Sequence, residues 1–255
     1  MSKINGLFLD YDGTLSPLDV SRQQSKIPPH LEALFNIIRK YVPIGVITSK
    51  DMPFILPRTD FAHAWAAIAG LELKIGSQLF ISRGIGEALP LLNQALKYAK
   101  RNTAEGGVIE EKCSYTGQPL AFCVDWREVK DDKAAREMSS HIRAYCHTLA
   151  LEVIEYHGNP YFDVFPCPMD KGQAITDLRN HMSLSSGTLY MGDSITDNLA
   201  FKKVDIGIGV SENLEPLDLE CQYWIKFEDV ANFFSFLYKN DFNFSPDLPG
   251  IKARG

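Results

Sequence analysis

Short apolar runs that stop abruptly at acidic or hydroxyl residues constrain this chain more than any other feature. Residues 4–9 form such a run and stop at Asp10-Tyr11-Asp12-Gly13, and residues 43–47 form a second that stops at Thr48-Ser49-Lys50. Runs of this length bounded by turn residues are typical of buried strands. Residues 30–41, between the two runs, place apolar side chains at helical spacing. Strand, helix and strand in alternation predict a parallel α/β sheet.

The middle of the chain has a different pattern. It predicts two helices and two pairs of strands, with the helices over 88–101 and 133–149 and the strands over 107–112, 120–126, 151–156 and 161–165. This mixture predicts a small α+β domain. After Pro168 the first pattern returns, and it predicts a helix over 171–182, strands over 188–191 and 205–210, and a helix over 230–238.

Two domains follow from this change of pattern. We expect residues 1–83 and 168–255 to form an α/β core with a parallel sheet flanked by helices, and residues 84–167 to form an inserted α+β domain. Residues from Asp241 onward contain prolines and glycines among polar groups, and they predict a loose tail.

Composition excludes several classes of partner. The 255 residues carry 26 Lys and Arg against 32 Asp and Glu, a formal charge of -6, which argues against a nucleic-acid or anionic-membrane binder. No apolar stretch reaches the roughly 18 residues of a membrane span. The five cysteines include no CxxC pair, and their scatter predicts a reducing, cytoplasmic location without a disulfide framework. Nothing in the sequence indicates an oligomeric state.

Polar clusters at four element junctions carry the candidate chemistry. They are residues 10–14, 48–50, 170–172 and 192–197, and ligands of open parallel sheets bind at the carboxyl ends of the strands. A carboxylate can attack phosphorus, and a second acid can protonate the leaving oxygen and then activate water. Crowded carboxylates favour a hard cation such as Mg²⁺, while a lysine and a hydroxyl suit the phosphoryl oxygens. A single Asp after a strand is equally well a cap or turn residue, but four such junctions together favour a site.

These residues resemble the haloacid dehalogenase superfamily of phosphohydrolases. Residues 10–15 (DYDGTL) match its first motif, Ser49 the second, Lys171 the third, and Gly192-Asp193 with Asp197 the fourth, in the same order and across nearly the whole chain. The resemblance implies a Rossmann-like core, and the insert between the second and third motifs, residues 84–167, resembles that family's C2B-type cap domain.

The resemblance implies a role for each matched residue. Asp10 would be the nucleophile and a metal ligand, and Asp12 the general acid and base, with its backbone carbonyl on Mg²⁺. Asp193 would complete the protein ligands of Mg²⁺. Ser49 and Lys171 would hold the phosphoryl oxygens. Two further residues would support them: Asp197, by orienting Lys171 or the metal shell, and Thr14, through its hydroxyl.

Within this superfamily the chain is most similar to trehalose-6-phosphate phosphatases. Residues 9–17 (LDYDGTLSP) and 192–201 (GDSITDNLAF) are close to that group's motifs. The resemblance extends to cap segments that contact the sugar, and it implies substrate contacts for Glu110, Lys112, Arg127 and Asp163. Cross-strand charge pairs on a solvated sheet face would produce the same pattern.

Several positions depart from that group. Asp125 stands for its His, Asp163 for its Glu, and Ser194 for its second acid, while Ser49-Lys50 and Gly192-Asp193-Ser194 are more like mannosyl-3-phosphoglycerate phosphatases. The expected substrate is therefore a small phosphorylated sugar: trehalose 6-phosphate first, with mannosyl- or glucosyl-3-phosphoglycerate or another sugar phosphate as the alternative. Transfer of the phosphoryl group to a second sugar is also open. A receiver-like phospho-acceptor module would need neither Asp12 nor the insert.

Overall fold

The computed structural model describes residues 2–18, 20, 22–82, 85–156, 158–212, 215–216 and 218–254. The strands are β1 (Ser2–Lys3), β2 (Gly6–Leu9), β3 (Ile44–Ile47), β4 (Ala64–Ala67), β5 (Glu72–Ile75), β6 (Gln78–Ile81), β7 (Val108–Cys113), β8 (Pro119–Asp125), β9 (Glu152–Glu155), β10 (Tyr161–Phe165), β11 (Thr188–Gly192), β12 (Ile206–Ser211), β13 (Tyr223–Lys226), β14 (Asn243–Phe244) and β15 (Lys252–Ala253). The α-helices are α1 (Pro29–Ile38), α2 (Met52–Ile55), α3 (Ile85–Arg101), α4 (Asp132–Thr148), α5 (Lys171–His181), α6 (Asn198–Phe201) and α7 (Val230–Lys239).

The chain divides into two compact units. Unit 1 comprises Met1–Ser49, Phe54–Phe80 and Asp170–Gly255, and unit 2 comprises Lys50–Pro53 and Ile81–Met169. The domain boundary expected between residues 83 and 84 lies outside the described residues. Lys50–Pro53, expected in the core, lies in unit 2, where the Asp51 carboxylate accepts a hydrogen bond from the backbone N–H of Cys113 on strand β7.

Unit 1 is built on a nine-stranded sheet. Its order is β15-β13-β12-β11-β2-β3-β4-β5-β6, and the strands from β13 to β4 are parallel. Every residue of β2, β3 and β11 is buried, because strands inside a parallel sheet are covered on both faces. The predicted α/β class with a Rossmann-like core is confirmed.

Two helices of unit 1 show how the local sequence sets the fold. Helix α1 begins at Pro29, whose fixed φ suits the first helical position, and the buried Phe35 ring stacks on Phe61 at 4.9 Å. Helix α5 begins at Lys171 because Asp170 caps it by accepting the Gln173 N–H at 3.0 Å. Among the described residues, no helix combines the length and apolar character needed to cross a membrane.

The end of unit 1 differs from the expectation. The prediction of a loose tail from Asp241 onward was wrong, because β14 pairs with β1 and β15 pairs with β13. Phe242, Phe244 and Leu248 are buried, and their burial offsets the entropy that ordering the tail costs. Strands β5 and β6 also extend the far edge of the sheet, where the sequence pattern indicated no strand, and β5 runs antiparallel to β4.

Unit 2 has the predicted α+β arrangement. Its four strands, in the order β7-β8-β10-β9, are all antiparallel. Side chains alternate between the two faces of each strand. Phe122, Val124, Phe162 and Val164 therefore share one face, which packs into a core with α3 and α4. Cys123 lies on the opposite face, together with its cross-strand partners Glu110 and Asp163.

Candidate active site

Sheet order brings three polar loops together. Because β11, β2 and β3 are neighbours, the residues that follow them lie at one edge of unit 1: Asp193 after β11, Asp10 after β2 and Ser49 after β3. Lys171, the first residue of α5, completes this group. Positions as far apart in sequence as Asp10 and Asp193 thus meet at the carboxyl ends of adjacent parallel strands, where ligands of such sheets bind.

Lys171 is the cation of the site. Its Nζ lies 3.3 Å from Asp10 Oδ1 and 2.6 Å from Asp197 Oδ1, and all three side chains are buried. Burial alone would lower the pKa of Lys171, but the charges of Asp10 and Asp197 together raise it above the usual lysine value. The ammonium is therefore charged at neutral pH beside the candidate nucleophile.

The carboxylates nearby are crowded. Burial raises the pKa of Asp10 to about 7, against the opposing charge of Lys171 and with a further rise from Asp197. Burial, followed by repulsion from Asp10 and Asp197, raises the pKa of Asp193 well above its usual value. One ligand oxygen from each of these three acids lies within 4.8 Å of the others. This set of hard oxygen donors with excess negative charge fits a divalent cation such as Mg²⁺.

Hydrogen bonds occupy both oxygens of the Asp197 carboxylate. Its Oδ1 accepts hydrogen bonds from Lys171 Nζ and from the Tyr190 hydroxyl. Its Oδ2 accepts from the backbone N–H groups of Asp193 at 3.0 Å and Ser194 at 2.9 Å, and from the Ser194 hydroxyl at 3.2 Å. These five donors fill the roughly four lone-pair positions of a carboxylate. Of the three clustered acids, Asp10 and Asp193 are therefore the candidate ligands.

Gly13 permits the close approach of Asp193. Its φ is +68°, and a Cβ at this position would lie 2.0 Å from Asp193 Oδ2. Any other residue would displace Asp193 from the site. The glycine of the first motif is therefore a steric requirement of this carboxylate cluster as well as a turn residue.

The other predicted core residues are less tightly bound to the cluster. Asp12 is half-buried, and its Oδ1 accepts a hydrogen bond from the Ser25 hydroxyl at 3.2 Å. Its carboxyl is not part of the acid cluster. Ser49 is half-buried, directly after Thr48. Thr14 is fully buried, and its hydroxyl has no hydrogen-bond partner among the described residues.

Among the predicted sugar contacts of unit 2, Lys112, Arg127 and Asp163 form ion pairs in this structure. Lys112 Nζ lies 2.7 Å from Asp163 Oδ2, and both side chains are buried. Arg127 Nε lies 2.8 Å from Asp125 Oδ2. Glu110 lies on the same face, in register with Cys123. Charge pairing describes the observed contacts of these residues, and contact with a sugar stays a prediction.

Two contacts of the site residues, those of Tyr190 and Ser25, were not expected from the sequence, and the contact of Ser194 with Asp197 was not expected in this form. Tyr190 and Ser194 hold Asp197, and Ser25 holds Asp12. The spacing of Ser194 and Asp197 is that of a capping box, which the structure contains, so this contact had a signal in the sequence. Tyr190 and Ser25 had none, because their partners are set by packing.

The fold and the acid cluster together define an α/β enzyme whose site lies at the ends of parallel strands. The chain matches the family model for haloacid dehalogenase-like hydrolases over residues 84–232, more than half of its length. The chain therefore belongs to the family of haloacid dehalogenase-like hydrolases.

Individual relatives are distant. The chain is 24% identical over 254 residues to "Probable trehalose-phosphate phosphatase J" of Arabidopsis thaliana, covering 89% of this chain but only 65% of that protein. Among solved structures it is similar to a "trehalose-6-phosphate phosphatase related protein" (TM-score 0.72, 20% identity, 92% of this chain and 97% of that one). It is also similar to the C-terminal domain of the C. albicans trehalose-6-phosphate phosphatase (TM-score 0.72, 17% identity, 93% of each chain). At these identities the structural likeness shows the fold.

Proposed function

We propose that this chain is a Mg²⁺-dependent phosphatase that hydrolyses a small phosphorylated sugar through an aspartyl-phosphate intermediate. The observation that carries the proposal is the buried group formed by Asp10, Asp193 and Lys171, with Lys171 Nζ 3.3 Å from Asp10. A carboxylate nucleophile, a second acid and a fixed cation are the parts that phosphoryl transfer to an aspartate needs. The five scattered cysteines support a reducing, cytoplasmic setting for this reaction.

Two chemical steps follow from the proposed roles. An oxygen of Asp10 attacks phosphorus, the bond from phosphorus to the sugar oxygen breaks, and Asp12 gives that oxygen its proton. Water then attacks phosphorus, Asp12 accepts the proton of the water, and the bond to Asp10 breaks to release phosphate. Lys171 and Ser49 hold the phosphoryl oxygens in both steps.

Mg²⁺ would be held by Asp10, Asp193 and the backbone carbonyl of Asp12. When bound, the ion supplies positive charge against the phosphoryl oxygens and relieves the repulsion among the carboxylates. Asp197 keeps Lys171 and the loop of Asp193 in place through its five hydrogen bonds. Thr14, whose buried hydroxyl has no partner among the described residues, would support the loop once the site is occupied.

Trehalose 6-phosphate is the first candidate substrate. The proposal rests on the motif resemblance and on the names of the relatives, of which the chain spans about two thirds. Ser49-Lys50 and Gly192-Asp193-Ser194 favour mannosyl- or glucosyl-3-phosphoglycerate as the alternative. A phosphate-release screen with Mg²⁺ separates them, using trehalose 6-phosphate, both phosphoglycerates and simple hexose phosphates. A kcat/KM for trehalose 6-phosphate no better than that for a generic ester would exclude it.

The nucleophile has its own test. Asp10→Asn should abolish phosphate release, and acid quenching of the wild-type reaction should trap a labelled, acid-stable phosphoenzyme. Hydrolysis by Asp10→Asn at the wild-type rate would contradict the assignment. A stable phosphoenzyme without turnover would instead indicate a receiver-like acceptor. Appearance of a phosphorylated second sugar in place of free phosphate would indicate a phosphoryl transferase.

The cap residues can be tested by separating binding from stability. If Lys112 and Arg127 bind the sugar, Arg127→Met should raise KM for the sugar phosphate and leave KM for 4-nitrophenyl phosphate unchanged. Arg127 is the better residue to replace because its side chain is partly exposed, so the change should affect stability less than a change at Lys112, which is buried against Asp163. Equal KM changes for both esters would speak against sugar contact.

A further inference from the structure

Ser25 lies outside every motif of the candidate active site, yet it contacts Asp12. It precedes α1 in the chain and is buried, and its hydroxyl donates to Asp12 Oδ1 at 3.2 Å. Ser16 Oγ lies 2.8 Å from Ser25 Oγ. A hydroxyl carries one proton, so when Ser25 donates to Asp12, Ser16 must donate to Ser25. The three groups form a directed chain that ends on the Asp12 carboxyl.

The backbone of Ser25 is fixed from two further sides. Its carbonyl oxygen accepts hydrogen bonds from the Tyr11 hydroxyl at 3.0 Å and from Arg58 Nε at 3.2 Å. Arg58 is itself held, because its guanidinium donates to the Phe54 carbonyl at 3.0 Å and lies 3.9 Å above the Phe54 ring. The Tyr11 and Phe54 rings also pack edge to face, with their centroids 5.6 Å apart. Ser25 is thus anchored independently of its bond to Asp12.

We propose that Ser25 is a positioning residue that holds Asp12 in the orientation needed for proton exchange. This inference rests on the proposed function, in which Asp12 is the acid and base. The Asp12 side chain is half-buried, and a hydrogen bond to a fixed donor restricts the rotamers that its carboxyl can adopt. The hydrogen bond from the anchored Ser25 hydroxyl to Oδ1 restrains the plane of the carboxyl that gives a proton to the sugar oxygen and later takes one from water. Preorganised contacts of this kind determine how much an acid contributes to the rate.

Leaving-group dependence tests the proposal. The value of kcat/KM reports the steps up to phosphoryl transfer to Asp10, where Asp12 protonates the leaving oxygen. An alkyl leaving group of a sugar phosphate needs that proton, whereas 4-nitrophenolate leaves without it. For Ser25→Ala we expect kcat/KM to fall about 10- to 100-fold on the sugar phosphate and less than about 3-fold on 4-nitrophenyl phosphate.

Two further variants make the result specific. Ser139→Ala removes a buried serine hydroxyl from helix α4 of unit 2, and both esters should be hydrolysed at wild-type rates. Ser16→Ala removes the hydroxyl that contacts Ser25 and leaves Ser25 in place, and it should show the same preference for the aryl ester with a smaller loss. It also tests the chain of hydroxyls should Ser25→Ala fail to fold.

The outcomes separate the inference from the proposed function. Equal losses on both esters, or no loss on either, in a folded Ser25→Ala protein would overturn the positioning role. A wild-type protein that hydrolyses neither ester, or an Asp12→Asn variant with full activity on the sugar phosphate, would overturn the proposed function itself. The proposed function would stand and only the role of Ser25 would be refuted if the wild type hydrolyses both esters, Asp12→Asn is inactive on the sugar phosphate, and Ser25→Ala hydrolyses both esters at wild-type rates.

Discussion

Replacing Asp197 with asparagine removes one charge from the centre of the candidate active site while keeping the size of a fully buried side chain. One carboxylate oxygen becomes an NH₂ group. In either orientation, the amide NH₂ group faces at least one donor that cannot accept a hydrogen bond: Lys171 beside the Tyr190 hydroxyl, or the N–H groups of Asp193 and Ser194 beside the Ser194 hydroxyl. Removing one partner of a buried ion pair costs about 3–5 kcal/mol. Because Lys171 retains Asp10 at 3.3 Å, we expect the lower end, about 3 kcal/mol.

Urea denaturation in a Trp126→Phe background measures this loss. The remaining tryptophans, Trp65 and Trp224, both lie in unit 1, so their fluorescence follows the unfolding of the unit that contains Asp197. A loss of about 3 kcal/mol corresponds to a midpoint about 1–2 M lower in urea.

Two control variants bracket the expected effect. Tyr190→Phe removes one neutral donor to Asp197, and it should cost about 1 kcal/mol. Asp60→Asn changes an exposed aspartate of the same unit, and it should cost less than about 0.5 kcal/mol. If the free energies of unfolding of Asp197→Asn and Asp60→Asn differ by less than about 1 kcal/mol, the hydrogen bonds of Asp197 do not stabilise unit 1 and the reasoning is refuted.

Three further measurements test other parts of the structure. Gly13→Ala should lower the rate of phosphate-ester hydrolysis by about 100-fold, because the added Cβ would collide with Asp193. Gly76→Ala is the control: Gly76 has φ +57°, but an added Cβ would meet no atom of the described residues within 4 Å beyond its chain neighbours, so the variant should lose about 1–2 kcal/mol of stability and no activity. Equal activities of the two variants would contradict the steric argument. Mg²⁺ at about 100 times its Kd should stabilise the protein by about 2.7 kcal/mol, and the absence of that gain in wild type, or its persistence in Asp193→Asn, would count against the metal site. Partial desolvation of the imidazole, together with the charge of Arg39, lowers the pKa of His63 below its usual 6.5. The contribution of neutral His63 to stability is therefore complete above pH 6.5 and is lost as the pH falls through the lowered pKa. The fall in Tm from about pH 7.5 to 5.5 should be smaller in His63→Asn, and parallel curves would show that His63 is not the group responsible.

Local sequence patterns account for much of this protein. Apolar runs such as Leu7–Leu9 and residues 44–47 are too short and too continuous for surface helices, and the polar residues after them are typical of loops. These features predicted the α/β core, the α+β insert, the loops that carry Asp10 and Asp193, and the helix that begins at Lys171. The reason is that periodicity and turn chemistry depend on residues only a few positions apart.

Only the tertiary structure decided which of these groups meet. The order of strands in the sheet places Asp193 beside Asp10, and packing brings Tyr190 onto Asp197 and Ser25 onto Asp12. The pairing of the chain end with β1 and β13 is of the same kind. Such contacts join segments far apart in sequence, and they form when the hydrophobic surfaces of whole elements find one arrangement that buries them together. The residues next to a position in the chain therefore do not predict which distant residue it will contact.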